Sequence, residues 1–588
     1  MNRYAVFHTP DIPYAYAVDK DTLHLRLRTA RNDIREAKVH YKDRYDLVSP
    51  FQVKEMKVAA EGPLFSFFEV EVSLFRNRYR YFFELKDRRG KSVFFDDRGF
   101  REETETLKER ERTAFHCAYI GEADVYPEVK WLQQSVIYQI FPDRFHNGDR
   151  SNDPEGTPAW GSEVTHRTKF GGDIKGIIEK LDYLKDLGIN LVYLTPVFKS
   201  DSSHKYNTGD YYEIDPQFGT KEDARELVRS CHERGMRVVF DAVFNHSGSD
   251  FFAFQDVLKN QEKSPYVDWY HIDSFPVETG KVNYYTFAER AAYMPKLNTA
   301  NQKVKDYLIE VGKYWVEEIG IDGWRLDVSD EVDHSFWRDF TKAVKKVRPD
   351  AVVIGEIMHE APSFLRGDEM DGIMNYPFKV AMVDFFATRK IDAEEFNGIL
   401  TRNRASYMNS ISRQMWNLIG SHDTKRFLTE CDEKVERLKL ATAFQFFYIG
   451  VPYIYYGDEV GMSGALDPYC RGCMLWEEDE QDRDLHRFYK RLIHLRRLNK
   501  ELIYGDFEIL HLEGGVLVFK RTHEGKSIVV AINNSDREAH VKKRFGDRAV
   551  DLVTAETLTL RKGLTMAPME FRIFRIRNRE KKRETDKT

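Results

Sequence analysis

Between about residue 122 and residue 503 the chain alternates short apolar runs with amphipathic stretches, eight times over. Each run is too short for an ordinary helix and too continuously apolar for a strand with one wet face. It suits a parallel strand buried on both sides. The runs are Val136–Phe141, Leu191–Leu194, Arg237–Asp241, Gly323–Asp327, Ala351–Glu356, Gly372–Pro377, Trp416–Asp423 and Val451–Glu459. Between the first two, Ile174, Ile177, Ile178, Leu181 and Leu184 recur at helical spacing, with Gly188 placed as a C-cap. Eight strand–helix units predict a (β/α)8 TIM barrel, with its chemistry at the carboxyl ends of the strands. Asp241, Asp327, Glu356 and Asp423 stand at such ends. Carboxylates closing apolar strands are tolerated where those strands open into a solvated cleft.

A barrel accounts for only part of 588 residues. Residues 1–121 read as an N-terminal β-sandwich: Leu23–Arg28 alternates apolar with polar, and Tyr79–Leu85 is a second strand. Tyr41 and Tyr45 flank a charged loop of this domain, and either pack at its base or meet a sugar or partner. The barrel divides into 122–247 and 300–503, around an aromatic-rich insertion at 248–299 that is too long for an ordinary strand–helix loop. The insertion reads as a small subdomain walling the cleft. Residues 504–588 read as a C-terminal β-sandwich with a charged, solvated tail from Arg577. A net charge of −6 gives no electrostatic reason to expect nucleic acid. There is no signal-peptide core and no run of membrane-spanning length. Five scattered cysteines form no disulfide framework, and the single pair Cys470/Cys473 is too few for zinc. A cytoplasmic protein is expected. Aromatic residues make up 14% of the chain, a surplus that suits flat surfaces on which sugars stack.

The chemistry is concentrated in four segments: Asp241-Ala-Val-Phe-Asn245-His246, Gly323-Trp-Arg325-Leu-Asp327, Gly355-Glu356-Ile357 and Ser421-His422-Asp423. In the second, Arg325 and Asp327 lie two apart and share one strand face. A surface ion pair is the plain reading of an isolated Arg-x-Asp. A guanidinium beside a carboxylate lowers its pKa and favours an ionised nucleophile. The apolar Val352, Val353 and Ile354 ahead of Glu356 suit a partly desolvated carboxyl that keeps its proton.

In order and spacing, these segments resemble the α-amylase family of retaining glycoside hydrolases. Met294-Pro295-Lys296-Leu297-Asn298 and the extra N-terminal β domain are similar to its neopullulanase, cyclomaltodextrinase and maltogenic amylase branch. The resemblance implies Asp327 as nucleophile, Glu356 as general acid and then base, and Asp423 as the carboxylate that binds and distorts the reacting sugar. Such pairs of carboxyls stand about 5–5.5 Å apart. Arg325, Asp241, His246, His422, His204 and a stacking Tyr206 would surround the same ring. Asp467 and Arg471 would grip the next glucose, while Glu331, Met358 and His359 would bear on the acceptor side and on transfer. The implied substrates are cyclomaltodextrins, maltooligosaccharides and pullulan, cut at α-1,4 and some α-1,6 links with transglycosylation.

The resemblance also implies a homodimer through the N-terminal domain, with Tyr45 reaching the neighbour's cleft. Asn147, Asp149, Asn152, Asp153 and Asp173 crowd hard oxygen donors near Gly171, a set suited to Ca²⁺ or to a turn-rich loop that binds nothing. The resemblance assigns them, with the Gly171 carbonyl, to a structural calcium ion. Two other readings remain open from sequence: an exo-acting α-glucosidase or oligo-1,6-glucosidase of the same family, and a catalytically inactive sugar-binding barrel.

Overall fold

The computed structural model describes residues 1–101, 112–289, 291–543, 545–546 and 548–576. The charged tail expected from Arg577 lies outside the described residues. The eight predicted strands close into one parallel barrel: β1 (Ile137–Ile140), β2 (Leu191–Leu194), β3 (Arg237–Ala242), β4 (Gly323–Leu326), β5 (Val352–Ile357), β6 (Gly372–Asn375), β7 (Trp416–Asn417) and β8 (Val451–Tyr455). The β7 strand is only two residues long, so Asp423 sits six residues beyond it in a loop, not at the strand end expected.

A parallel sheet alternates its side chains between the barrel interior and the surrounding helices. Ile137, Leu191, Tyr193, Val239, Val352, Ile354, Met374, Trp416, Val451 and Tyr453 fill the interior as one apolar cluster. Register then decides which polar groups meet above it. Asp241 pairs with Arg325, and Arg325 with Ile354. Asp327 and Glu356 each follow two residues later on the same face, so both project into one level of the barrel mouth.

The helix predicted after β1 is broken at Lys180 into Ile174–Glu179 and Leu181–Leu187. Gly188 ends it at φ 101°, where only glycine is unstrained, and its amide closes on Leu184 and Lys185. Asp173 caps the first half by accepting from the Gly176 amide.

The N-terminal domain is a four-stranded sheet facing a six-stranded one. Alternation in its strand Thr22–Ala30 predicts one wet face. Leu23, Leu25 and Leu27 do enter the domain core, yet His24 and Arg26 on the other face are buried too. Arg26 explains this: its guanidinium pairs with Glu69 at 2.7 Å and donates to the carbonyls of Ala405 and Tyr407 on the barrel. This face of the sheet is therefore docked on the catalytic domain. The insertion is less independent than expected, because Phe254, Tyr270, Tyr284 and Leu297 join the barrel's own core. A bridge from His246 to Lys296 and a hydrogen bond from the Leu297 amide to the Asn245 carbonyl at 3.0 Å pin it to the segment after β3. At the C-terminal domain, a six-stranded sheet with a two-stranded partner, buried Arg521 donates to the Phe447, Tyr448 and Gly505 carbonyls. Among the described residues no helix is long and apolar enough to cross a membrane.

Candidate active site

Arg325 is the hub of the barrel mouth and is fully buried. One terminal nitrogen donates to both oxygens of Asp241 at 3.0 Å and to Asp327 Oδ1 at 3.0 Å. Its other terminal nitrogen stands 2.6 Å from Glu356 Oε1, close in charge but too misaligned for a hydrogen bond. Asp327 and Glu356 are therefore gathered at the barrel mouth and share a single cation. Glu356 is held further by the Val328 amide, which donates to Oε2 at 3.1 Å, and by the Tyr376 hydroxyl at 3.4 Å from Oε1. To aim that amide, Val328 adopts φ 44° and ψ 47°. A β-branched residue rarely takes this left-handed conformation, and such strain concentrates at functional sites.

The electrostatics differ from the expectation drawn from Arg-x-Asp alone. Burial pushes the Asp327 carboxyl well above its usual range, the Glu356 charge adds to this, and Arg325 only partly opposes it. Desolvation also carries Asp241 up to about 6, against the pull of Arg325. Burial raises Asp423 as well, opposed by Arg471 and Arg325. Carboxylates crowded around so few cations in a dry pocket bind protons more tightly than free ones, and a shared proton belongs to the cluster as a whole.

On the facing wall, His422 and Tyr206 stack in parallel at 5.4 Å, with His422 Nε2 2.7 Å from the Tyr206 hydroxyl. Asp423 lies 3.2 Å from His422 Nε2 and 3.2 Å from Arg471, which also holds Asp467 at 3.1 Å. His204 accepts from the Tyr206 amide through Nδ1 and stacks on the Tyr206 ring. Burial carries His204 down to about 3 and pushes His422 well below the usual histidine range, so both rings are neutral.

Several residues expected around the sugar also hold contacts within the protein. Asp241 is buried and takes up Arg325 and the hydroxyls of Tyr193 (2.6 Å) and Tyr206 (3.0 Å), so it braces the hub. His246 is fully buried: Nε2 meets the Tyr206 carbonyl at 3.1 Å, Nδ1 meets Asn245, and Phe287 covers the ring. It props the Tyr206 backbone. Glu331 is paired with Lys296, which also reaches Asn245 and so ties the insertion to the site. Met358 is largely exposed, and His359 pairs with Asp330 at 3.0 Å on the surface.

Four contributors escape a reading of the sequence: Tyr193, Gln139, Tyr376 and the Val328 amide. Gln139 has a visible signal, a lone amide inside an apolar strand. The others do not, since Tyr193 and Tyr376 read as core aromatics and a backbone angle leaves no composition.

In the proposed calcium loop, Asn147 Oδ1 and Asn152 Oδ1 are buried without a hydrogen-bond partner among the described residues. Asn147 Nδ2 donates to Asp153 at 2.6 Å. Gly171, at φ 78°, leaves open a space where a Cβ would stand 2.2 Å from Asp153 Oδ1. Buried amide oxygens left without partners suit a hard cation. Asp173 and Asp149 are engaged otherwise: Asp173 accepts the Gly148, Asp149 and Gly176 amides, and Asp149 pairs with Lys175 at 2.5 Å.

An eight-stranded barrel whose mouth sets three carboxylates on one guanidinium, with a fourth beside a stacked Tyr–His pair, is the architecture of a glycoside hydrolase. The comparisons narrow the class. Residues 139–494 match the α-amylase catalytic domain, 1–121 the α-amylase N-terminal ig-like domain, and 505–547 an α-amylase C-terminal domain. The chain is 50% identical to a cyclomaltodextrinase of Thermoanaerobacter pseudethanolicus, over 92% of this chain and 93% of that one. It is 43% identical to neopullulanase 2 of Thermoactinomyces vulgaris, over 96% and 98%. A solved cyclomaltodextrinase structure superposes with a TM-score of 0.93 at 41% identity, covering 98% of this chain and all of the other. The chain belongs to the α-amylase family of glycoside hydrolases.

Proposed function

We propose that this enzyme is an endo-acting, retaining α-glucan hydrolase. It cleaves α-1,4 and some α-1,6 bonds in cyclomaltodextrins, maltooligosaccharides and pullulan, with transglycosylation. The observation that carries the chemistry is the joint hold of Arg325 on Asp327 and Glu356. Sharing a guanidinium keeps the two carboxyls close, and retaining pairs stand about 5–5.5 Å apart. Asp327 attacks the anomeric carbon while Glu356 delivers its proton to the departing glycosidic oxygen. A glycosyl ester forms on Asp327, and Glu356 then takes a proton from the incoming water or sugar hydroxyl. Asp423 and His422 bind hydroxyls of the ring in the first subsite over the Tyr206 face, and Arg471 with Asp467 holds the next unit.

Side-by-side product analysis on β-cyclodextrin and pullulan tests this reading. Ring opening, with panose from pullulan, is expected; a ring left intact while linear maltosides lose glucose would make the enzyme an exo-acting glucosidase. Asp327→Asn should abolish turnover and retain substrate binding, which also separates this reading from that of an inactive sugar-binding barrel.

We further propose a homodimer through the N-terminal domain, on the exposed loop that carries Tyr45, Leu47 and Val48. Tyr45, backed by the Arg44 and Arg78 guanidinia, would narrow the neighbour's cleft. Calcium would be held by Asn147, Asn152, Asp153 and the Gly171 carbonyl, with Asp149 and Asp173 behind them, and would stiffen the loop after β1 without chemical duty. Five free cysteines, four of them buried, suit the reducing cytoplasm.

A further inference from the structure

Gln139 is the last inward-facing residue of β1 and is completely buried beneath the sugar-binding wall. Its Nε2 donates to His422 Nδ1 at 2.8 Å. Its Oε1 has no partner among the described residues, although an unsatisfied buried carbonyl is costly. Methionine or leucine would fill this space without that cost. The amide is retained for its donor.

We infer that Gln139 is a positioning residue which holds His422 in the neutral Nε2–H tautomer, so that this N–H faces Asp423, the Tyr206 hydroxyl and the reacting sugar. The inference rests on the assignment of His422 and Asp423 to that sugar. The surroundings fix the proton. Asp423 Oδ2 lies 3.2 Å from Nε2 as a close charge contact, and its carboxylate favours an N–H over a lone pair on that nitrogen. The Tyr206 hydroxyl, 2.7 Å from Nε2, gives its own proton to Asp241 at 3.0 Å and so turns a lone pair to the ring. A neutral imidazole carries one N–H, so Nδ1 must accept, and only the amide N–H₂ end of Gln139 satisfies it. The reversed amide would move the proton to Nδ1 and set the Nε2 lone pair against the Asp423 carboxylate. The other charged or titratable groups facing His422 are Arg471, Arg325 and His204. Arg471 and the Cys470 thiol bind the His422 carbonyl and leave the ring nitrogens free. Burial and these cations together keep a second proton off the ring.

Gln139→Glu and Gln139→Met separate tautomer control from packing. In Q139M the shape is kept and the donor lost. A fall in kcat of roughly 10- to 100-fold is expected, the range found when outer supports of metal-bound histidines are removed, with both limbs of the pH profile in place. In Q139E an ionised carboxylate accepts from Nδ1, so the neutral ring loses its Nε2 proton. Adding one proton to the new carboxylate and the His422 ring, taken as a pair, restores Nε2–H. Activity should therefore recover on acidification, with the alkaline limb moved toward acid. Equal losses in both variants with unmoved limbs would reduce Gln139 to packing. Nitrogen-15 NMR of histidine-labelled wild type, with His422→Gln to assign the signal, decides the matter even if Q139E does not fold: neutral Nε2–H is expected, and Nδ1–H overturns the inference. Full activity of H422Q would instead remove His422 from the site, and so sink the assignment on which the inference rests, without altering the tautomer observed.

Discussion

Arg325→Lys isolates what one planar guanidinium contributes. In the native site its two terminal nitrogens serve three carboxylates, at 3.0 Å to Asp241, 3.0 Å to Asp327 and 2.6 Å to Glu356. An ammonium is a compact point charge without that fork. It stays with buried Asp241, because a buried ion left unpaired costs about 3–5 kcal/mol. Asp327 then loses a charge-assisted hydrogen bond, worth roughly 1.5–3 kcal/mol, and Glu356 loses a nearby unlike charge. A loss of about 1.5–3 kcal/mol, at roughly 1.36 kcal/mol per decade, lowers kcat/KM by about 10- to 160-fold. The pH profile moves with it. Burial already raises the Asp327 carboxyl and Arg325 restrains it. Weakening that restraint raises it further, so ionised nucleophile appears only at higher pH and the acid limb shifts toward alkali. Steady-state kinetics on β-cyclodextrin across the range where the variant stays folded, checked by thermal denaturation, measures both effects. A folded R325K within tenfold of wild type and with its acid limb unmoved would refute the reasoning.

Three further outcomes follow from the same structure. Asp458, buried against Arg426, is pushed up to about 7 by desolvation, opposed by Arg426. Its folded form binds a proton that the unfolded chain releases, so its contribution to stability is present at acid pH and lost as pH rises toward 7; Asp458→Asn should flatten that fall in Tm. Chelation of calcium should lower Tm, since an ion at about 100 times its Kd stabilises by about 2.7 kcal/mol, and Asn152→Ala should remove the response; an identical Tm with and without chelator in wild type counts against the site. Val48→Glu on the exposed N-terminal loop should turn a dimer into a monomer by sedimentation and relax discrimination against long glucans, whereas an unchanged sedimentation coefficient would place the interface elsewhere.

Much of the fold was legible because burial writes itself into composition. The eight apolar runs, the glycine after Leu187 and the four acidic segments each follow from local rules, and the family resemblance rests on those same residues. Interstrand register was not legible. Asp241 and Arg325 are 84 positions apart and meet because their strands pair at that level. No periodicity within either strand specifies this. The same is true of Gln139, which reads as one polar residue in an apolar run until the barrel closes and sets it under His422. Thr22–Ala30 shows the converse, since its polar face looked solvated and is docked through Arg26.

The sequence by itself determined which residue types lie where along the chain, and hence a barrel with carboxylates near its carboxyl ends. Tertiary structure decided how those charges behave. Proximity to Arg325 argues for an ionised Asp327, but the closed mouth removes water and brings Glu356 alongside, and desolvation with like-charge repulsion outweighs one guanidinium. It also showed which residues brace the site: Asp241 takes up Arg325, and His246 props the Tyr206 backbone. The reason is physical: a pattern of side chains specifies which faces are apolar, whereas protonation and orientation depend on distances that exist only once remote strands stand side by side.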